Sequence, residues 1–158
     1  LDGNDTRGVR SESLHHQMGI VLQHNFLFSG TVLENIRVGR DLSMLRIQLA
    51  LEQVGLWAAI QELPRGLDTV VNTGGDPLSE GQKQALMIAR AIAGNPRLLI
   101  IDETLDGVQD SDERDRLSHV LFGSDAPWTL ILVTARPDLE RLCTRTVQLT
   151  RSGLKEAA

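Results

Sequence analysis

The chain has 158 residues, 41% of them apolar, and a formal net charge of −5; it is long enough for one domain with a core, and its negative balance argues against a nucleic-acid partner held through phosphates. A single cysteine, Cys143, excludes an internal disulfide framework and fits a reducing cytosol. No apolar run approaches the roughly 20 residues that span a bilayer, and no basic–apolar–small signal segment opens the chain.

In chain order, residues 1–5 read as the tail of a strand and a turn, followed by a polar stretch. Residues 18–23 read as a buried strand, and residues 24–30 as a loop carrying three large apolar residues, Phe26, Leu27 and Phe28. Thr31 caps a short helix running to Ile36, with Glu34 completing a capping box. Residues 41–63 read as helical, with Asp41 as a cap and Leu42, Leu45, Leu49 and Val54 on one side. Gly55 breaks that run, residues 56–63 form a second short helix, and Pro64 ends it. Residues 72–77 are a turn-rich loop.

Next comes the most informative stretch. Ser79 and Gln82 fit a second capping box, and Ala85, Leu86, Ala89, Ile92 and Ala93 give one apolar helical face. Gly94-Asn95-Pro96 stops the helix. Leu98-Leu99-Ile100-Ile101 suits a strand buried on both faces, as in a parallel sheet, and it ends in Asp102 and Glu103. A helix over residues 113–122 follows, then another buried strand over 128–134, and residues 147–149 with a turn at Gly153 finish the sheet. No internal repeat, low-complexity run or interdomain linker is visible.

Leu78-Ser79-Glu80-Gly81-Gln82, a helix and a strand ending in Asp102-Glu103 resemble the signature motif and Walker B strand of an ATP-binding cassette (ABC) ATPase domain, whose signature reads Leu-Ser-Gly-Gly-Gln. Gln23 and Phe26-Leu27-Phe28-Ser29-Gly30-Thr31-Val32-Leu33-Glu34-Asn35-Ile36 resemble the Q-loop of ABC exporters. Leu63-Pro64-Arg65-Gly66-Leu67-Asp68-Thr69-Val70-Val71 is similar to the exit of their helical subdomain. The resemblance implies an α/β, P-loop NTPase-like ABC ATPase fold with a parallel-sheet core and an inserted α-helical subdomain. It places the helical subdomain, with the signature motif, at about 31–95, and the sheet core at 1–30 and 96–158 of one partial ATPase domain.

For the site, the resemblance implies that Asp102 and Gln23 hold Mg²⁺ and that Glu103 orients or deprotonates the attacking water. It implies that Ser79, Gly81 and Gln82 meet the γ-phosphate of ATP bound to an opposite subunit. Physical chemistry allows these roles. A helix N-terminus suits a phosphate, and ligands sit at strand C-termini in open α/β sheets. Plainer readings stand beside them: Gln23 as a strand-end polar residue with the phenylalanines in the core, Asp102-Glu103 as an acidic turn, and Ser79 with Gln82 as an ordinary cap. The loop at 24–31 would take up the coupling helix of a transmembrane domain.

Several positions depart from the family. Thr73 stands where exporters carry a Glu that contacts the membrane domain, and Glu80 replaces a signature glycine. Gln109 replaces the D-loop Asp, and Ala135 replaces the switch histidine. No Gly-x-x-x-x-Gly-Lys-Ser/Thr stretch occurs and there is no Tyr to stack on a base. The expectation is therefore a truncated or partial chain, incomplete in its fold, that does not bind ATP tightly alone, is inactive alone for want of a P-loop, and exposes strand edges that invite association.

The function implied is that of an exporter-type ABC transporter ATPase on the cytoplasmic face of a membrane. ATP and Mg²⁺ would be its cofactors, and its partners a transmembrane domain and a second cassette in a homo- or heterodimer, with no nucleic acid. The alternative is a degenerate cassette that binds nucleotide and regulates a transporter with little hydrolysis. A chromosome-maintenance ATPase would share the signature but needs long heptads, which residues 31–77 lack.

Overall fold

The computed structural model describes residues 11–23, 26–150 and 153–156. The expected strand tail at 1–5 and the first loop residues, His24 and Asn25, lie outside the described residues. Within the polar stretch a short helix forms, α1 (Ser11–His15).

The sheet is parallel, in the order β1-β4-β5, from β1 (Met18–Val21), β4 (Leu98–Asp102) and β5 (Thr129–Val133). Ile20 pairs with Ile100, and Ile100 with Ile131. The last rung joins Asp102 to Val133. Side chains alternate between faces along a strand, and here the faces differ. Val21, Leu99 and Ile101 are fully buried, whereas Ile20, Ile131 and Val133 are each more than two-fifths exposed. The expected strands are thus buried on one face only among the described residues, not on both. β1 also ends two residues before Gln23 rather than at it.

Between β1 and β4 the chain is mostly helical. It carries β2 (Gly30–Thr31), α2 (Val32–Arg37), α3 (Met44–Gln53), α4 (Trp57–Glu62), a 3-10 turn at Gly66–Asp68, β3 (Val70–Val71) and α5 (Glu80–Ile92). β2 and β3 form a small antiparallel pair. Thr31 caps α2 with the expected capping box. α3 differs from expectation in two ways. Ser43, not Asp41, is its N-cap. Its buried face is Ile47, Ala50 and Leu51, with Val54 following, while Leu45 and Leu49 are exposed. Two apolar stripes compete on this helix, and the one that packs inward, where α3 meets α5, is the one that includes the β-branched Ile47.

α5 is the hub and packs on β1, α2 and α3. Ala85, Leu86, Ile88, Ala89, Ala91 and Ile92 are all buried. Its contact with β1 is close because Gly19 has no side chain: a Cβ there would lie 2.6 Å from the Ala91 carbonyl oxygen. After β4, Asp110 caps α6 (Ser111–Phe122), two residues earlier than the sequence suggests. α7 (Pro137–Glu140) follows β5. Among the described residues, β6 (Val147–Thr150) and β7 (Gly153–Glu156) pair only with each other, as a separate antiparallel ribbon, rather than finishing the sheet.

Candidate functional site

Two corners carry the candidate residues. The first is the N-terminus of α5. The Ser79 hydroxyl accepts from Gln82 N–H at 3.2 Å, and Gln82 Oε1 accepts from Ser79 N–H at 2.9 Å. This reciprocal cap leaves the Ser79 hydroxyl proton and the Gln82 Nε2 hydrogens as donors. It also leaves the N–H groups of Glu80 and Gly81 without an acceptor among the described residues. Glu80 bonds to Lys83 at 2.7 Å instead of folding over the helix end. Glu80, Lys83, Phe26, Leu27 and Thr73 share a groove of about 150 Å³. Another carboxylate reaches the helix end: a Cβ on Gly81 would run into the Glu113 carboxyl group.

The second corner is assembled from three segments. Gln23 Nε2 donates to the Glu103 carboxylate across 80 positions of sequence. Asp102 ends β4, and Glu103 N–H donates to Val133 O at 2.9 Å, which carries the β4–β5 pairing one step past the ladder. Glu103 takes a left-handed backbone, φ 51°. A non-glycine residue holds this conformation only where its surroundings dictate it. The turn that follows closes with Asp106 N–H donating to Glu103 O at 3.1 Å. Asp106 accepts from Thr134 Oγ1 at 2.5 Å and from Ala135 N–H at 2.9 Å. Ala135 and Gln109 are both exposed. Nearby, the Arg136 guanidinium holds the Asp138 carboxyl below its usual range, through bonds of 3.1 and 2.9 Å.

A brace joins α5 to the loop that follows Gln23. Arg90 donates from Nε to Asn35 O at 2.8 Å, from Nη2 to Asn35 Oδ1 at 2.9 Å and from Nη1 to Phe26 O at 3.3 Å. Asn35 is fully buried and bonds both the N–H and the carbonyl of Phe28. Arg40 donates to Arg90 O at 2.7 Å. Burial lowers the pKa of both guanidiniums, and the charge of Arg40 adds to the effect at Arg90. The loop itself divides: Leu27 is core, whereas Phe26 and Phe28 are exposed, which overturns the plainer reading of the phenylalanines as core.

The structure therefore brings Gln23, Asp102 and Glu103 to one sheet end, and Ser79, Gly81 and Gln82 to one helix end. Sequence reasoning missed Asp106, Glu113, Arg90 and the role of Asn35. Only Asn35 and Arg90 left a signal, as polar residues among the apolar positions of a helix.

Oxygen donors suit Mg²⁺, and Asp102 and Gln23 offer a carboxylate and an amide oxygen at the sheet end. The free N–H groups of α5 suit a phosphate.

A family model described as ABC transporter matches residues 1–106. The chain is 40% identical over 127 residues to the uncharacterized ABC transporter ATP-binding protein YfiC of Bacillus subtilis (strain 168), covering 78% of this chain and 21% of that protein. It is 35% identical over 157 residues to the uncharacterized ABC transporter ATP-binding protein YwjA of the same strain, covering 99% of this chain and 27% of that one. Its fold is similar to the structure of a bacterial Atm1-family ABC exporter with ATP bound, with a TM-score of 0.77 and 32% identity, covering 87% of this chain and 24% of that chain. The chain thus spans about a quarter of the length of these relatives. With the signature helix and the Asp102-Glu103 strand end in place, the chain belongs to the ABC transporter family, among the ATP-binding domains with exporter-type relatives.

Proposed function

We propose that this chain is part of an ATP-hydrolysing cassette that drives an exporter through a transmembrane partner at the cytoplasmic face of a membrane. Residues 31–95 act as its helical subdomain, and 1–30 with 96–158 as its sheet core. The observation that carries the reading is the contact between Gln23 and Glu103 beside Asp102. The parallel register that pairs Val21 with Ile101 carries Gln23 to a place opposite Glu103, so the sheet itself sets an amide and two carboxylates side by side at the strand ends, where a water-orienting site needs them.

Glu103 is the catalytic residue, holding the water that attacks the γ-phosphate and receiving its proton. The amide of Gln23 fixes the direction of that carboxylate, and the Val133 carbonyl fixes its backbone. Asp102 and Gln23 would hold Mg²⁺, which when bound neutralises phosphate charge. Ser79, Gly81 and Gln82 offer donors to the phosphate of a nucleotide held by a second cassette, in a homo- or heterodimer. Phe26 and Phe28, exposed on a braced loop, face the transmembrane partner.

ATP turnover by the complete cassette, beside its Glu103→Gln version, tests this. Turnover that disappears in the Gln version supports the motor. A second reading, a nucleotide-binding regulator with little hydrolysis, is favoured by Ala135 and Gln109, neither of which can supply the charge or imidazole of the residue it replaces. Binding without turnover in either version would select it.

A further inference from the structure

We propose that Asp106 is a positioning residue for Glu103, acting as a staple between the turn at 103–106 and the end of β5. This rests on the hydrolytic reading above and adds to it a residue that the signature and Walker B patterns do not mark. The strand pair β4–β5 ends its ladder at Asp102 and Val133. Two further links continue it: Glu103 N–H to Val133 O, and the Asp106 carboxylate to Thr134 and Ala135. Both Asp106 oxygens are used, one by the Thr134 hydroxyl and one by the Ala135 N–H. The Thr134 hydroxyl in turn accepts from Arg136 N–H at 3.0 Å, so its donated proton is directed at Asp106. The turn is closed at its other end by Asp106 N–H on Glu103 O.

The left-handed backbone of Glu103 lies inside this loop of bonds. Without the staple, Glu103 can relax toward an ordinary backbone, and its carboxylate swings away from Gln23. The position at the end of β5 holds an alanine, so its only polar handle for the neighbouring turn is its main chain. A charged acceptor at 106 uses that handle, and such a bond is stronger than one to a neutral acceptor.

The test compares Asp106→Ala, Asp106→Asn and Thr134→Val in the complete cassette. A positioning role predicts that Asp106→Ala lowers kcat about tenfold while KM for ATP changes less than about twofold, the split of an interaction realised in the transition state. Asp106→Asn, which can still accept from Ala135 N–H, recovers part of the loss. Thr134→Val lowers kcat less than Asp106→Ala, and the double variant is no worse than Asp106→Ala alone. In parallel, amide hydrogen exchange on the complete cassette reads the staple without any turnover. Asp106→Ala should speed exchange at Ala135 and Glu103 while Ile101 stays protected. Unchanged exchange at Glu103 overturns the proposal, as does an unchanged kcat in a cassette that turns over. A parent cassette with no turnover would overturn the hydrolytic reading instead, and the exchange measurement would still decide the staple.

Discussion

The two corners of the candidate site are built in opposite ways. The N-terminus of α5 is local: Ser79 and Gln82 cap each other within one turn, and the free N–H groups follow from helix geometry alone. The sheet end is assembled from afar, with Gln23, the turn after β4 and the end of β5 meeting only in the folded chain. A corner made by one helix turn survives changes elsewhere. A corner made of three segments depends on everything that holds those segments in register. The brace of Arg90 and Asn35 is where the two dependences join, since it ties the signature helix to the loop leaving Gln23.

The largest expected effect is chemical and belongs to the assembled corner. Glu103→Gln should cut turnover of the complete cassette by about 10²–10⁴-fold, the range for losing a general base, with nucleotide binding retained. A loss of binding of the same size would mean that the sheet end holds nucleotide rather than water. Next is Asn35→Ala, which removes the partner of the Phe28 main chain and of Arg90. Leaving such groups unpaired costs about 2–3 kcal/mol, to be read as a drop in the urea midpoint. An unchanged midpoint would show that the two corners do not share a brace.

The local corner should be more forgiving. Ser79→Ala should cost about 1 kcal/mol of stability, as for other N-cap losses, and leave the Gln23–Glu103 contact intact by amide chemical shifts. Smaller still is the acid response of α2. The Thr31 N–H and hydroxyl hold the Glu34 carboxyl below its usual value of 4.5. A depressed carboxyl adds stability above its unfolded pKa and loses it as pH falls through the folded one. Denaturant midpoints measured from pH 6 down to below 4.5 should therefore fall less steeply in Glu34→Gln than in the parent. Equal slopes would remove this cap from the acid response.

The same contrast explains what could be read from the sequence. Both capping boxes, the apolar face of α5 and the strand ending at Asp102 were legible because each is contiguous and short-range. The family resemblance supplied Gln23 and Glu103 as candidates, but not their contact. Asp106 and Glu113 carry no local pattern, since their partners lie on other elements, and Arg90 shows only as a polar residue among the apolar positions of its helix. On α3, leucine spacing alone favoured Leu45 and Leu49, and only packing against α5 shows that Ile47 and Leu51 face inward. The two-sided burial expected of β4 and β5 failed for a related reason. Apolar runs record that a strand is apolar on both faces, not that both faces are covered among the described residues.

The central claim is that the two corners serve one nucleotide held between two cassettes. It is tested most directly by separating their defects. Glu103→Gln is placed on one cassette of the complete dimer and Ser79→Arg on the other, and ATP turnover is compared with a dimer carrying both defects on the same cassette and with dimers carrying either defect on both cassettes. If the corners act across the dimer, the opposite-copy arrangement leaves one site with both corners intact and retains turnover, while the same-copy arrangement damages both sites. Turnover retained with both defects on one cassette and lost when they are on opposite ones would contradict the account, because each corner would then serve the nucleotide of its own chain.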